Sequence, residues 1–92
     1  MERISTLRKR IDEIDEQIIR LLKERVNICE KVGMIKQEQG IPVRDRKREN
    51  EQYTRIMGIA SKLGLNPQDV GDVYQEIIAM SVRAQEHESH RA

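Results

Sequence analysis

Between Ile4 and Lys36 the apolar residues return every seven positions along two adjacent seams. One holds Ile4, Ile11, Ile18 and Val32, the other Leu7, Ile14, Leu21, Ile28 and Ile35. That spacing gathers them on one stripe of a helix. No proline intervenes before Pro42, so the pattern predicts a helix over about 2–39. Gly40 suits the left-handed residue that ends it, Ile41 the apolar contact behind, and Pro42 prevents resumption. At about 1.5 Å per residue such a rod is about 57 Å long, more than a compact domain of this size spans. Its own chain cannot cover it, which favours a partner subunit lying along it.

Two shorter helices follow. Asp45 is a good N-cap for a helix over about 46–63, whose inward face reads Tyr53, Ile56, Ala60 and Leu63, with Gly64 and Leu65 as a second glycine stop. Asn66 and Pro67 form a cap and first-turn pair for a third, over about 67–87. Its stripe is Val70, Val73, Tyr74, Ile77 and Ile78, and continuing it brings Ser81 and Gln85. The remaining tail, about 87–92, shows no pattern and is expected to fray, with His87 and His90 solvated rather than bound to metal. The expectation is an all-α fold of three helices forming a single domain over 1–92.

One seam position is wrong for a core. Arg25 falls where an isoleucine is due, and a cation there is costly unless an anion or a partner meets it. Lys36, Glu49, Ser81 and Gln85 also lie on or beside faces that should be buried. Each has an ordinary explanation. Arg25 could set the helix register against a carboxylate, Lys36 could snorkel, Glu49 could serve the helix dipole, and Ser81 or Gln85 could face water. Together, from three helices of so short a chain, they suggest a polar pocket.

Spacing refines this picture. Arg25 and Lys36 are about 16 Å apart along one rod, room for a small dianion between two long side chains, whereas Arg8 lies about 25 Å below Arg25. Arg8 could join such a site only from a second, antiparallel copy crossing near Ile18 and Leu21, which predicts a homodimer with two shared sites.

Composition narrows the chemistry. Seventeen Lys and Arg against sixteen Asp and Glu give a net charge of +1, and only two residues are aromatic side chains, both Tyr. That leaves neither a general basic field nor stacking platforms for nucleic acid. The single cysteine, Cys29, excludes an internal disulfide and a cysteine zinc cluster, and is read as a packed helix residue in a reducing compartment. The start, MERISTLRKR, lacks the apolar segment of a signal peptide, and no run is long enough for a membrane span, so a cytoplasmic location is expected. No activated nucleophile, metal cluster or glycine-rich phosphate loop is present, so no cofactor is expected. Cations, one carboxylate and neutral donors suit anion binding, or a reaction driven by holding one conformer and stabilising charge that develops in the transition state.

At this point the chain resembles the all-helical class of chorismate mutases. The resemblance covers nearly the whole length, through LRKRIDEIDEQIIRLLKER at 7–25, VGMIK at 32–36, VRDRKRE at 43–49 and IIAMSVRAQ at 77–85. It implies an intertwined dimer of three-helix chains that converts chorismate to prephenate without covalent catalysis, in phenylalanine and tyrosine biosynthesis. By the same resemblance, Arg25 clamps a substrate carboxylate and Arg8 of the other subunit holds one across the dyad. Lys36 and Gln85 donate to the ether oxygen. Glu49, with the backbone N–H of Asp45, holds the ring hydroxyl; Arg48 and Ser81 complete the carboxylate contacts, and Val32 and Ile78 form apolar walls. Since Gln85 is neutral throughout, the rate should be nearly flat around neutral pH. An isochorismate pyruvate lyase of the same fold, a helical dimerisation or metabolite-sensing module without turnover, and a plain antiparallel coiled-coil scaffold are the competing readings.

Overall fold

The computed structural model describes residues 2–89, and among them three helices and no strand: α1 (Glu2–Gln39), α2 (Arg46–Lys62) and α3 (Pro67–Ser89). The expected boundaries agree to within two residues. α2 stops one residue early because Leu63 is its C-cap. α3 passes the expected end at 87, since Glu88 and Ser89 contain no helix breaker. The rest of the tail, His90 included, lies outside the described residues. None of the described helices is long and apolar enough to cross a membrane.

Local chemistry accounts for the ends. Gly40 and Gly64 take φ of 67° and 77°, the left-handed region where a Cβ is penalised. Behind Gly40, the Ile41 N–H reaches Lys36 O at 2.8 Å, while Gly40 N donates to Gln37 O at 3.3 Å. The same pair closes α2, with Leu65 N to Ala60 O at 2.9 Å and Gly64 N to Ser61 O at 3.2 Å. Both satisfy carbonyls that the helix itself leaves open. At the starts, Asp45 Oδ1 accepts from Arg48 N and Asn66 Oδ1 from Asp69 N, each at 3.0 Å.

α3 is the central element. It packs against α1 on one side and α2 on the other, and among the described residues α1 and α2 do not pack on each other. The apolar core is small: Ile56 and Ala60 from α2, Ile78 and Val82 from α3. Leu63 and Val73, expected on the inward stripes, are exposed. Leu63 stands past the last turn of α2, and Val73 lies on the flank of α3 rather than on the Tyr74, Ile78, Ser81 line.

α1 meets α3 only through its carboxy-terminal half, where Leu22, Val26 and Cys29 are half-buried and Gly33 is buried. The approach at Gly33 is close, for a Cβ there would stand 2.7 Å from both Cα and O of Gln85. The two apolar seams lie beside this face and are left uncovered, from 38% exposure at Val32 to 63% at Leu21, and every residue from 3 to 21 is exposed. Shape agrees. The radius of gyration is 16.6 Å and the extents are 57 × 27 × 14 Å, against about 12 Å for a compact chain of this length. The surface of 7547 Å² likewise exceeds the about 5,500 Å² of a compact monomer of this mass.

Candidate active site

A cavity of about 380 Å³ opens where α1, α3 and the start of α2 converge. Its size suits a small metabolite. Arg25, Lys36, Asp45, Arg48, Glu49, Ser81 and Gln85, spread over sixty residues of sequence, all line it. So do Val32 and Ile78 on its apolar walls. Of the residues singled out from sequence, Arg8 alone stands elsewhere, on the uncovered part of α1.

Three helices fix these side chains by distinct means. Arg25 projects from the middle of α1 toward α3, where its Nη1 donates to Ser81 Oγ. The Ser81 hydroxyl in turn donates to Ile77 O at 3.0 Å, one turn back along α3. Arg25 therefore meets a neutral hydroxyl and, among the described residues, no carboxylate. The register-device reading required a protein acid, so this geometry argues against it.

Lys36 sits one turn beyond Gly33, and the close helix approach at that glycine brings its Nζ to Gln85. It donates to Gln85 Oε1 and to Val43 O, both at 2.7 Å. A lysine ammonium can only donate, so the amide atom facing it is the oxygen, and the Gln85 NH₂ is left as the outward donor. Two of the three Nζ protons are engaged, leaving one. The pair therefore offers two adjacent N–H groups from two helices.

The acids are also held. Asp45, with extended backbone at φ −130°, caps α2 through its side chain. Glu49, in the first turn of α2 where the dipole favours a negative charge, is only 12% exposed at its side chain. Its Oε1 accepts from Arg44 Nη2 at 2.9 Å, while Oε2 is buried without a partner. An unsatisfied buried carboxylate oxygen is expensive and keeps its acceptor capacity for a donor. The guanidinium of Arg48 has no hydrogen-bond partner among the described residues.

The lining also includes Ile28, Cys29, Val43, Gln52 and Val82, which sequence reasoning did not place there. Cys29 is half-buried beside the seam as expected, with the cavity as its neighbour. Gln52 had a faint signal, lying one turn after both Arg48 and Glu49 on the same face. Among the described residues no three His, Cys, Asp or Glu side chains converge on a common point, and His87 is exposed.

Chemically, the lining sets Arg25, Lys36 and Arg48 against two acids that are already engaged by a cap and by Arg44. The balance suits an anion with a hydroxyl donor. Comparison with known proteins is in accord. The family described as chorismate mutase type II matches residues 7–86. The bifunctional chorismate mutase/prephenate dehydratase of Aquifex aeolicus is 38% identical over 82 residues, covering 86% of this chain and 23% of that protein. The chorismate mutase of Methanocaldococcus jannaschii is 43% identical over 56 residues, covering 61% of this chain and 57% of its own. A bifunctional enzyme of the same name from Buchnera aphidicola is 32% identical over 78 residues, 85% of this chain and 20% of that one. The chain thus spans about a fifth to little more than half of these relatives. With the three-helix architecture and a family match running almost end to end, the chain belongs to the chorismate mutase type II family.

Proposed function

We propose that the chain is a chorismate mutase, an isomerase of phenylalanine and tyrosine biosynthesis acting in the cytoplasm as one domain. The reaction breaks the ether C–O bond of chorismate and forms a C–C bond to give prephenate. It needs no proton transfer and no nucleophile. The observation that carries the reading is the Lys36–Gln85 pair, bonded at 2.7 Å with a donor left on each. Two fixed N–H groups beside one another suit the ether oxygen, where negative charge grows as the bond breaks. Because that charge is small in the ground state, these donors act mainly on the transition state.

The other residues bind and orient. Arg25 clamps one carboxylate, with the geometry for two parallel bonds, and Ser81 keeps its guanidinium in place. Arg48 adds to the carboxylate contacts, and Ser81 does so by turning its hydroxyl from Ile77 O to the ligand. Glu49 Oε2, buried and unpartnered, accepts from the ring hydroxyl, and the backbone N–H of Asp45 donates to that hydroxyl's oxygen. Val32 and Ile78 hold the compact conformer from which the new bond forms. The second substrate carboxylate calls for a further cation. Arg8 of a second, antiparallel copy supplies it in an intertwined homodimer, whose formation would cover the seams that α1 leaves open.

Loss of chorismate absorbance, followed beside Arg25→Ala and Lys36→Ala variants with helix content checked by circular dichroism, tests this. Mutase activity in the parent protein, sharply reduced in both folded variants, is expected. Equal activity in all three would overturn the site. Turnover of isochorismate alone would identify a lyase, and binding without turnover a sensing module.

A further inference from the structure

Glu49 stands between two cavities. One is the pocket already described. The other, of about 360 Å³, lies behind it and is lined by Arg44, Arg46, Tyr53 and Glu76 among others. Glu49 borders both, whereas Arg44 borders only the second. Arg44 comes from the loop between α1 and α2, one residue before the Asp45 cap, and its side chain is 47% exposed against 12% for Glu49. It therefore grips the carboxylate from outside the pocket, at Oε1, with Oε2 left over.

We infer that Arg44 is a positioning residue for hydroxyl recognition: it holds Glu49 by one oxygen so that the other meets the ring hydroxyl of the substrate. The inference rests on the mutase reading. Two physical effects support it. A carboxylate anchored at one oxygen cannot rotate freely about its last torsion, so Oε2 is presented in one direction at no further entropic cost. Arg44 also neutralises Glu49 from a side the substrate does not reach. Without it, an uncompensated Glu49 would draw on Arg25, Lys36 and Arg48 in the pocket, the cations a dicarboxylate requires. Arg44 thus keeps those charges for the ligand. It touches neither substrate nor reacting atoms.

A mere loop brace would predict something else, and the two separate experimentally. kcat/KM is measured for chorismate and for an analogue with hydrogen in place of the ring hydroxyl, in the parent protein, Arg44→Ala, Arg44→Lys, Glu49→Ala and the Arg44→Ala/Glu49→Ala double variant. The parent should prefer the hydroxylated substrate by about tenfold or more. Arg44→Ala should lose most of that preference, falling far more on chorismate than on the analogue, and Arg44→Lys should restore much of it. In the Glu49→Ala background, removing Arg44 should have no further effect. An equal fall for both substrates, or full additivity with Glu49→Ala, would overturn the inference and leave the mutase reading standing. A parent protein inert toward both substrates would overturn the mutase reading and this inference with it.

Discussion

At the scale of single residues, the proposed site separates donors that would act on the reaction from groups that would hold the substrate. Lys36 Nζ joins Gln85 and the Val43 carbonyl at one point. Lys36→Ala is therefore expected to lower kcat by about 10²–10³-fold, in line with the loss of one preorganised donor, with a smaller change in KM. Steady-state kinetics on the folded variant checks this. Arg25→Ala, removing the proposed carboxylate clamp, should weigh more on KM. The same contrast explains what the sequence disclosed. Arg25, Lys36, Glu49, Ser81 and Gln85 were legible because a polar residue on an apolar face carries an energetic anomaly. Arg44 was not, and Gln52 only faintly, since polar residues in a charged loop or helix start carry none. The Val43 carbonyl was beyond reach altogether, for a backbone oxygen is the same in every residue.

Among the elements, the glycines do different work and should fail differently. Gly33 lies inside α1 with helical backbone, so Ala there would gain about 0.5–1 kcal/mol of helix propensity. Against this, its Cβ would stand 2.7 Å from backbone atoms of Gln85, which cannot swing aside. Overpacking of that kind costs about 1–3 kcal/mol, so the clash wins. Gly33→Ala should lower the melting temperature and, because Gln85 must shift away from Lys36, reduce activity as well. Gly40 has nothing within 4 Å of an added Cβ but a φ of 67°. Gly40→Ala should lose about 1–2 kcal/mol from backbone strain alone, with the α1–α3 contact intact. Thermal denaturation followed by an assay at low temperature distinguishes them. Helix ends were readable because glycine, proline and Asp or Asn caps act locally. The face by which α1 meets α3 was not: Leu22, Val26, Cys29 and Gly33 sit beside a more regular apolar seam, and only tertiary packing shows which stripe the chain itself covers.

For the whole molecule, the uncovered seams are the main fact. Antiparallel pairing predicts a dimer in sedimentation at micromolar concentration, and a monomer there would remove Arg8 from the site. Mixed dimers give a sharper test. Arg8→Ala and Arg25→Ala chains should each be nearly inactive, but denatured together and refolded at equal amounts they should recover about a quarter of parent activity. Half the dimers are then mixed, and each has one intact site. Sites confined to one chain would recover none of it. Sequence periodicity anticipated this rod, since a helix longer than a compact domain cannot be satisfied by two shorter ones. The small buried core, Ile56, Ala60, Ile78 and Val82, has a further consequence, for the route by which the native state is reached. With so little apolar surface enclosed by one chain, in the proposed dimer most of the stabilising burial waits for an encounter between two. Renaturation from denaturant should then follow second-order kinetics, the half-time halving each time the protein concentration is doubled, until a slower unimolecular step takes over.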